Sequence, residues 1–196
     1  CTRTIVMDEG RIVFDGNTSE AVARYEELTS ERDSADMLIA EKENLAIQVL
    51  RCSLSNARGE LALELIQAEP AFIEMHVRMR VPDPDYFFTL DIMNASHQMV
   101  FYSTDWDLGR PYACRQEPGE FSYRVEIPGR LLIPGTYSLS SGISSRFRST
   151  IFQMEKRMVF HVVDYDSHRA VERLYNMGAL VAPEIQWTGT AKNEKN

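Results

Sequence analysis

The sequence predicts an all-β fold: an immunoglobulin-like antiparallel β-sandwich of about eight strands, carrying an N-terminal hairpin-helix appendage. Three observations lead there. From Glu43 onward apolar residues recur with a period of two in seven or eight short runs. Turn residues separate the runs, Pro128-Gly129 and Pro134-Gly135 most plainly. Each run alternates instead of being solidly apolar, so one face of each sheet is solvated, the habit of antiparallel sheets. The chain of 196 residues is long enough for one large or two small domains. Its 44% hydrophobic and 26% charged residues suit a protein that buries a real core.

Taken in order, Thr4–Met7 and Arg11–Phe14 are short apolar runs joined by Asp8-Glu9-Gly10, the chemistry of a hairpin turn. Asp15-Gly16 closes the second run. Asn17 is placed to cap a helix, with Glu20 at N3, and Ala21, Tyr25 and Leu28 follow at helical spacing. Residues 26–43 then hold seven acids, two bases and no aromatic residue, which reads as a solvated linker. The expected division is 1–28 appendage, 29–42 acidic linker, 43–190 sandwich and 191–196 charged, disordered tail.

Within the sandwich, Leu45, Ile47 and Val49 alternate, then Cys52 and Leu54 continue on a shifted phase, which predicts a bulge near Leu50-Arg51. Ile73, Met75, Val77, Met79 and Val81 give the cleanest alternation, opposed by Glu74, His76, Arg78 and Arg80. Further strands are expected at 86–92, 99–103, 121–127, 137–143 and 158–162. After them His168–Met177 has a helical pattern stopped by Gly178, and Leu180-Val181, Pro183 and Trp187 form a last extended segment.

Charge and motif exclude several functions. Lys and Arg number 21 against 29 Asp and Glu, a net charge of −8, so the broad positive field of a nucleic-acid binder is missing. No apolar run approaches the roughly 18 residues of a membrane-spanning helix. Cys1, Cys52 and Cys114 are widely spaced and odd in number, which fits reduced thiols and neither a disulfide framework nor a zinc site. The four histidines lack metal-binding spacing, and no Gly-x-Ser-x-Gly, Cys-x-x-Cys or Gly-rich phosphate loop occurs. Asp105 and Asp107 are a carboxylate pair beside the run at 99–103. Their i, i+2 spacing puts them on one face, whereas glycosidase chemistry needs two carboxylates across a pocket.

What remains is a polar sheet face with aromatics at strand ends. A flat aromatic ring stacks on the apolar side of a pyranose, while Arg, His, Asp and Ser bond its hydroxyls. His76, Arg78, Asp91, Tyr102 and Trp106 combine these properties and are the candidate carbohydrate-binding residues. Arg146, Phe147 and Arg148 form a second candidate contact. The competing reading is equally physical: a charged alternate face is ordinarily solvated sheet, and a tryptophan such as Trp106 ordinarily packs a loop.

The stretch from Cys1-Thr2-Arg3 through Asp15-Gly16, with Glu20-Ala21-Val22-Ala23-Arg24-Tyr25 after it, resembles the end of an ABC-transporter ATPase domain. Leu132-Ile133-Pro134-Gly135-Thr136-Tyr137-Ser138-Leu139, Phe160–Asp164 and Gly178–Val181 are similar to the C-terminal sandwich of Wzt-type subunits of O-antigen exporters. The resemblance implies a non-catalytic module that recognises an O-antigen polysaccharide on its lipid carrier, often at a modified non-reducing end. It further implies a homodimer, possibly strand-swapped, a transmembrane exporter subunit as partner, and a cytoplasmic place at the inner face of the inner membrane. No cofactor is expected in this stretch, ATP and magnesium belonging to an ATPase domain whose motifs precede it. The alternative is a ligand-free dimerisation domain that stabilises the ATPase pair.

Overall fold

The computed structural model describes residues 3–8, 10–30, 34–108, 117–146, 148–165, 167–172, 175, 179–183 and 185, without the side chains of 26–30, 108, 148 and 149. Strands β1 (Thr4–Asp8) and β2 (Arg11–Gly16) pair antiparallel, as the two apolar runs require. The turn between them needs Gly10, whose φ is +78°. Asn17 caps α1 (Thr18–Ser30), its Oδ1 accepting the Glu20 N–H at 2.9 Å. Val6 and Ala21 are the buried hydrophobic side chains described in this appendage.

Among the described residues, ten strands build the sandwich. One sheet has the order β3 (Asp36–Leu38), β4 (Ile47–Ser55), β6 (Ala71–Met79), β9 (Gly119–Ile127). The other runs β5 (Glu64–Ile66), β12 (Met158–Val163), β10 (Gly135–Ser145), β7 (Tyr86–Asn94), β8 (Met99–Thr104), with β11 (Arg148–Gln153) also on β10. β11 and β12 lie end to end along one side of β10, Gln153 opposite Gly142 and Met158 opposite Leu139. The inner faces meet in a single core that includes Val49, Ile73, Val77, Ile92, Leu139 and Phe160. Across the gap the Phe88 and Tyr123 rings lie 4.2 Å apart, and the Ser141 hydroxyl donates to Met75 Sδ at 2.9 Å.

The bulge expected in β4 is present: the register with β6 shifts between Val49 and Arg51, which returns Cys52 and Leu54 to the core. Other expectations change. Asp36–Leu38, within the expected linker, pairs with β4 as an edge strand, and Met37 packs against the core. β5 and β11 were not legible either. β5 is three residues long, and β11 starts in a stretch whose Arg-rich composition reads as loop. β5 also pairs parallel to β12, a departure from a purely antiparallel sandwich. Asp105 is not on a strand: Asp105–Leu108 form a 3-10 turn. The described part of the late helix, α2, is His168–Val171, capped by the Ser167 hydroxyl. Cys1, Cys114, Gly178, Trp187 and the charged tail lie outside the described residues. Among the described residues no helix is long and apolar enough to cross a membrane.

Candidate functional site

Strand parity divides the five candidate residues between two opposite faces. His76 and Arg78 project from β6 on the outer face of the four-stranded sheet, opposite the buried Met75 and Val77. Arg78 is engaged there. Its Nη1 donates to both carboxylate oxygens of Glu41 at 2.6 and 2.7 Å, and its Nε to Glu120 at 3.1 Å. Those carboxylates raise the guanidinium's pKa further, and Arg78 in turn lowers that of Glu41. His76 sits in register between Arg51 and Ser122, in an open polar cleft of about 350 Å3 shared with Ser53, Glu74 and Arg124. Around it, Arg51 grips Asp36 at 2.6 and 2.8 Å, and Arg124 lies 3.9 Å over the Phe72 ring. This face is a ladder of matched charges.

Asp91 and Tyr102 are cross-strand partners on the outer face of the six-stranded sheet. Beside them the outward side chains of β10 are small: Ser138, Ser140 and Gly142. Arg157 and Gln153 close the far side of this strip. Arg157 Nη2 reaches Asp91 Oδ1 at 2.5 Å and its Nε reaches Ser138 Oγ at 2.9 Å. Gln153 Nε2 donates to Ser140 Oγ at 2.6 Å. A Cβ at 142 would lie 2.5 Å from Gln153 Oε1, 3.0 Å from Thr89 Oγ1 and 3.1 Å from the Phe152 carbonyl oxygen, so a larger residue displaces Gln153 and crowds the backbone.

Tyr102 is an exposed aromatic of this face, 55% accessible. Its phenol is raised first by partial burial and then by the charges of Asp107 and Asp91, against a hydrogen bond with Thr89. Asp107 accepts from the Thr104 N–H at 2.8 Å and from the Thr104 and Ser103 hydroxyls, and these bonds hold its carboxyl below the usual range. Between β8 and β9 the sheets part in a cleft of about 510 Å3, floored by Phe88 and Tyr123 and rimmed by Thr104 and Asp107.

Trp106 is anchored locally. Its Nε1–H donates to the Tyr86 carbonyl at 3.3 Å and its ring meets Phe87 edge-on at 5.8 Å. Asp105 beside it accepts the Phe88 N–H at 2.9 Å. Both residues bind the 3-10 turn to the start of β7, which are the contacts a loop-packing tryptophan makes. The candidates thus gather as Asp91 with Tyr102, apart from His76 and Arg78. Sequence reasoning missed Ser138, Ser140, Gln153 and Arg157. The polar half of the Tyr137–Ile143 alternation could have shown the serines, whereas Arg157 reads as an ordinary turn residue. Of the second candidate contact, Arg146 donates its N–H to the Asp85 carbonyl at 3.1 Å; Phe147 and the Arg148 side chain lie outside the described residues. Among the described residues no three metal-ligating side chains gather.

The described residues thus form a two-sheet sandwich with polar outer faces, joined to a hairpin and helix. The chain belongs to the Wzt C-terminal domain family, whose model matches residues 40–175. That family is a non-catalytic C-terminal domain of an O-antigen ABC-transporter subunit. The crystal structure of the C-terminal domain of Wzt is similar in fold, with a TM-score of 0.59 and 12% identity over 80% of this chain and 89% of that one. A β-glucosidase from Listeria innocua in complex with glucose reaches 0.38 at 12% identity, over 64% of this chain and 17% of that one. Chicken MD-1 complexed with lipid IVa reaches 0.39 at 12% identity, over 66% and 99%. No curated protein sequence matches the chain.

Proposed function

We propose that this domain binds the polysaccharide its transporter exports, on the outer face of the six-stranded sheet around Tyr102. One observation carries the reading: an exposed tyrosine ring stands beside Asp91 and a strip of serine hydroxyls fixed by Arg157 and Gln153. The ring offers a stacking surface for a pyranose. The carboxylates of Asp91 and Asp107 accept from sugar hydroxyls, and the half-exposed hydroxyls of Ser103 and Thr104 donate or accept as needed, while the buried Ser140 supports the face from below. Fixed side chains lower the entropy lost on binding. The action is equilibrium recognition: the finished glycan, including any modification at its non-reducing end, is selected and handed to the exporter, and no bond is made or broken. In this reading the domain works as one of a pair at the cytoplasmic face of the inner membrane, where ATP is hydrolysed by a preceding domain. His76 and Arg78, across the thickness of the sandwich, contact no saccharide unit that Tyr102 contacts.

Calorimetric titration with the cognate polysaccharide tests this. Tyr102→Ala should weaken binding by about 1–3 kcal/mol, the span of a hot-spot truncation, with unfolding unchanged. Arg78→Ala should leave affinity as it is. The reverse pattern would move the site to the opposite sheet. Absence of binding in the parent would favour a domain that serves only to join subunits.

A further inference from the structure

Arg157 stands where the turn after β11 enters β12, and that turn is held in place by its own contacts. The Met154 N–H donates to the Ser141 carbonyl at 3.0 Å, and Glu155 pairs with Lys42 Nζ at 2.6 Å. From this base the guanidinium reaches two strands of the six-stranded sheet. Its Nη2 donates to Asp91 Oδ1 at 2.5 Å and to the Ser138 carbonyl at 2.9 Å, and its Nε donates to Ser138 Oγ at 2.9 Å. The side chains of Arg157 and Asp91 are 29% and 14% exposed, so the pair is largely shielded.

An arginine on a sugar-binding face ordinarily suggests a receptor for an acidic group. Here two of its three nitrogens are already committed to the protein, and what they do is fix Asp91 and Ser138. Of the two Asp91 oxygens, Oδ1 takes Arg157, whereas Oδ2 has no hydrogen-bond partner among the described residues and still meets solvent. Tyr102 is the cross-strand neighbour of Asp91, and such neighbours stand about 5 Å apart at Cβ. A pyranose lying on the Tyr102 ring brings a hydroxyl within reach of Oδ2, an atom that only accepts. Ser138, its oxygen engaged by Nε, keeps its own proton to donate.

We infer that Arg157 is a positioning residue that acts through Asp91, and that the sugar unit taken between Tyr102 and Asp91 is uncharged and offers a free hydroxyl. This rests on the reading of the Tyr102 face as the glycan site. A carboxylate or phosphate on that unit would set like charges face to face, and a methyl ether would leave Oδ2 without a donor. The test is calorimetry with the O-polysaccharide of the encoding organism, freed of lipid by mild acid. Between about 50 and 500 mM sodium chloride the affinity of the unaltered chain should not fall, since an uncharged unit gives salt no attraction to screen. Arg157→Gln should weaken binding by about tenfold or more. Arg157→Lys, which keeps the charge and loses the paired donors, should bind no better than Arg157→Gln. Asp91→Ala should weaken binding too, and adding Arg157→Gln to it should cost nothing further. Val77→Ala, a core change remote from this face, should lower the melting temperature and keep the parent affinity, which separates lost positioning from lost fold. An affinity that falls steeply with salt until Arg157→Gln removes the dependence would show the guanidinium gripping an acidic unit, and would overturn the inference. So would additive losses in the double variant, or full affinity in Arg157→Gln while Tyr102→Ala is weakened. Failure of the unaltered chain to bind, or full affinity in Tyr102→Ala, would instead overturn the glycan site itself and this inference with it.

Discussion

Cys52 is fully enclosed on the inner face of β4, and burial pushes its thiol up to about 12. A thiol kept protonated is a poor nucleophile. Iodoacetamide at about pH 8 should therefore leave Cys52 unmodified in the folded chain and label it once denaturant opens the core, as peptide mass mapping will show. The neighbouring strand gives a sharper contrast between adjacent residues. Val77 is 1% exposed in the core, while Arg78 points outward and trades its solvent for Glu41 and Glu120. Val77→Ala should cost about 1–3 kcal/mol through lost burial and an unfilled cavity. Arg78→Ala should cost under about 1 kcal/mol, because half-exposed ion pairs contribute little net stability. Denaturant unfolding of the two variants measures both, and equal losses would contradict the face assignment. Which of these two faces inward was legible in the sequence, because the pleat converts alternation directly into sidedness. That Arg78 is spent on Glu41 was not, since 37 residues separate them and only the fold closes that distance.

At the scale of elements, strands with long alternation were legible and short ones were not. β6 and β7 each carry nine residues, enough to establish a period, whereas β3 and β5 have three. β3 holds its place partly through the Asp36–Arg51 pair, and Arg51 lowers the Asp36 pKa against the effect of desolvation. A carboxyl whose pKa is depressed on folding contributes stability above its unfolded value and loses it as pH falls through the folded one. Asp36, Glu41 and Asp107 all shift this way. Stability should thus hold near neutrality and decline below about pH 4, the unfolded carboxylate range. Asp36→Asn should flatten part of that decline when thermal unfolding is followed against pH. The strip on β10 makes a separate demand. Gly142→Ala would press its methyl on Thr89 Oγ1 at 3.0 Å and on the Phe152 carbonyl oxygen at 3.1 Å. Gln153 can rotate away but backbone cannot, so the substitution should cost about 1–3 kcal/mol of overpacking. It should also disturb the serine strip, and the affinity measured with Tyr102→Ala gives the scale for that effect.

For the whole molecule, the two parts of the chain differ in how well they close. The sandwich joins two inner faces into one core, with Val49, Cys52, Leu54, Ile73, Ile92, Leu139 and Phe160 all fully buried. In the appendage Ile5, Met7, Ile12 and Tyr25 are 46–61% exposed, and its main contacts run between α1, β1 and β2 themselves. So small an interior cannot offset the entropy of ordering the segment alone. The sandwich should therefore owe it little, and we propose that the domain boundary falls between α1 and β3. The sequence placed the linker across residues 29–42 because Asp, Glu and Ser dominate there, and composition cannot register a strand whose contribution is one pair of charges and one inward methionine. A chain beginning at Ser34 should unfold cooperatively within about 2–4 °C of the full chain, the shift that about 1 kcal/mol produces at this size. A chain beginning at Asn44 lacks β3, the Asp36–Arg51 and Glu41–Arg78 pairs and the cover that Met37 and Ile39 give the core. It should melt lower by more than that margin. Calorimetric unfolding of both chains decides: equal melting temperatures would make β3 dispensable, and a broad, non-cooperative transition in the longer one would show that the sandwich needs the hairpin and helix to hold its core.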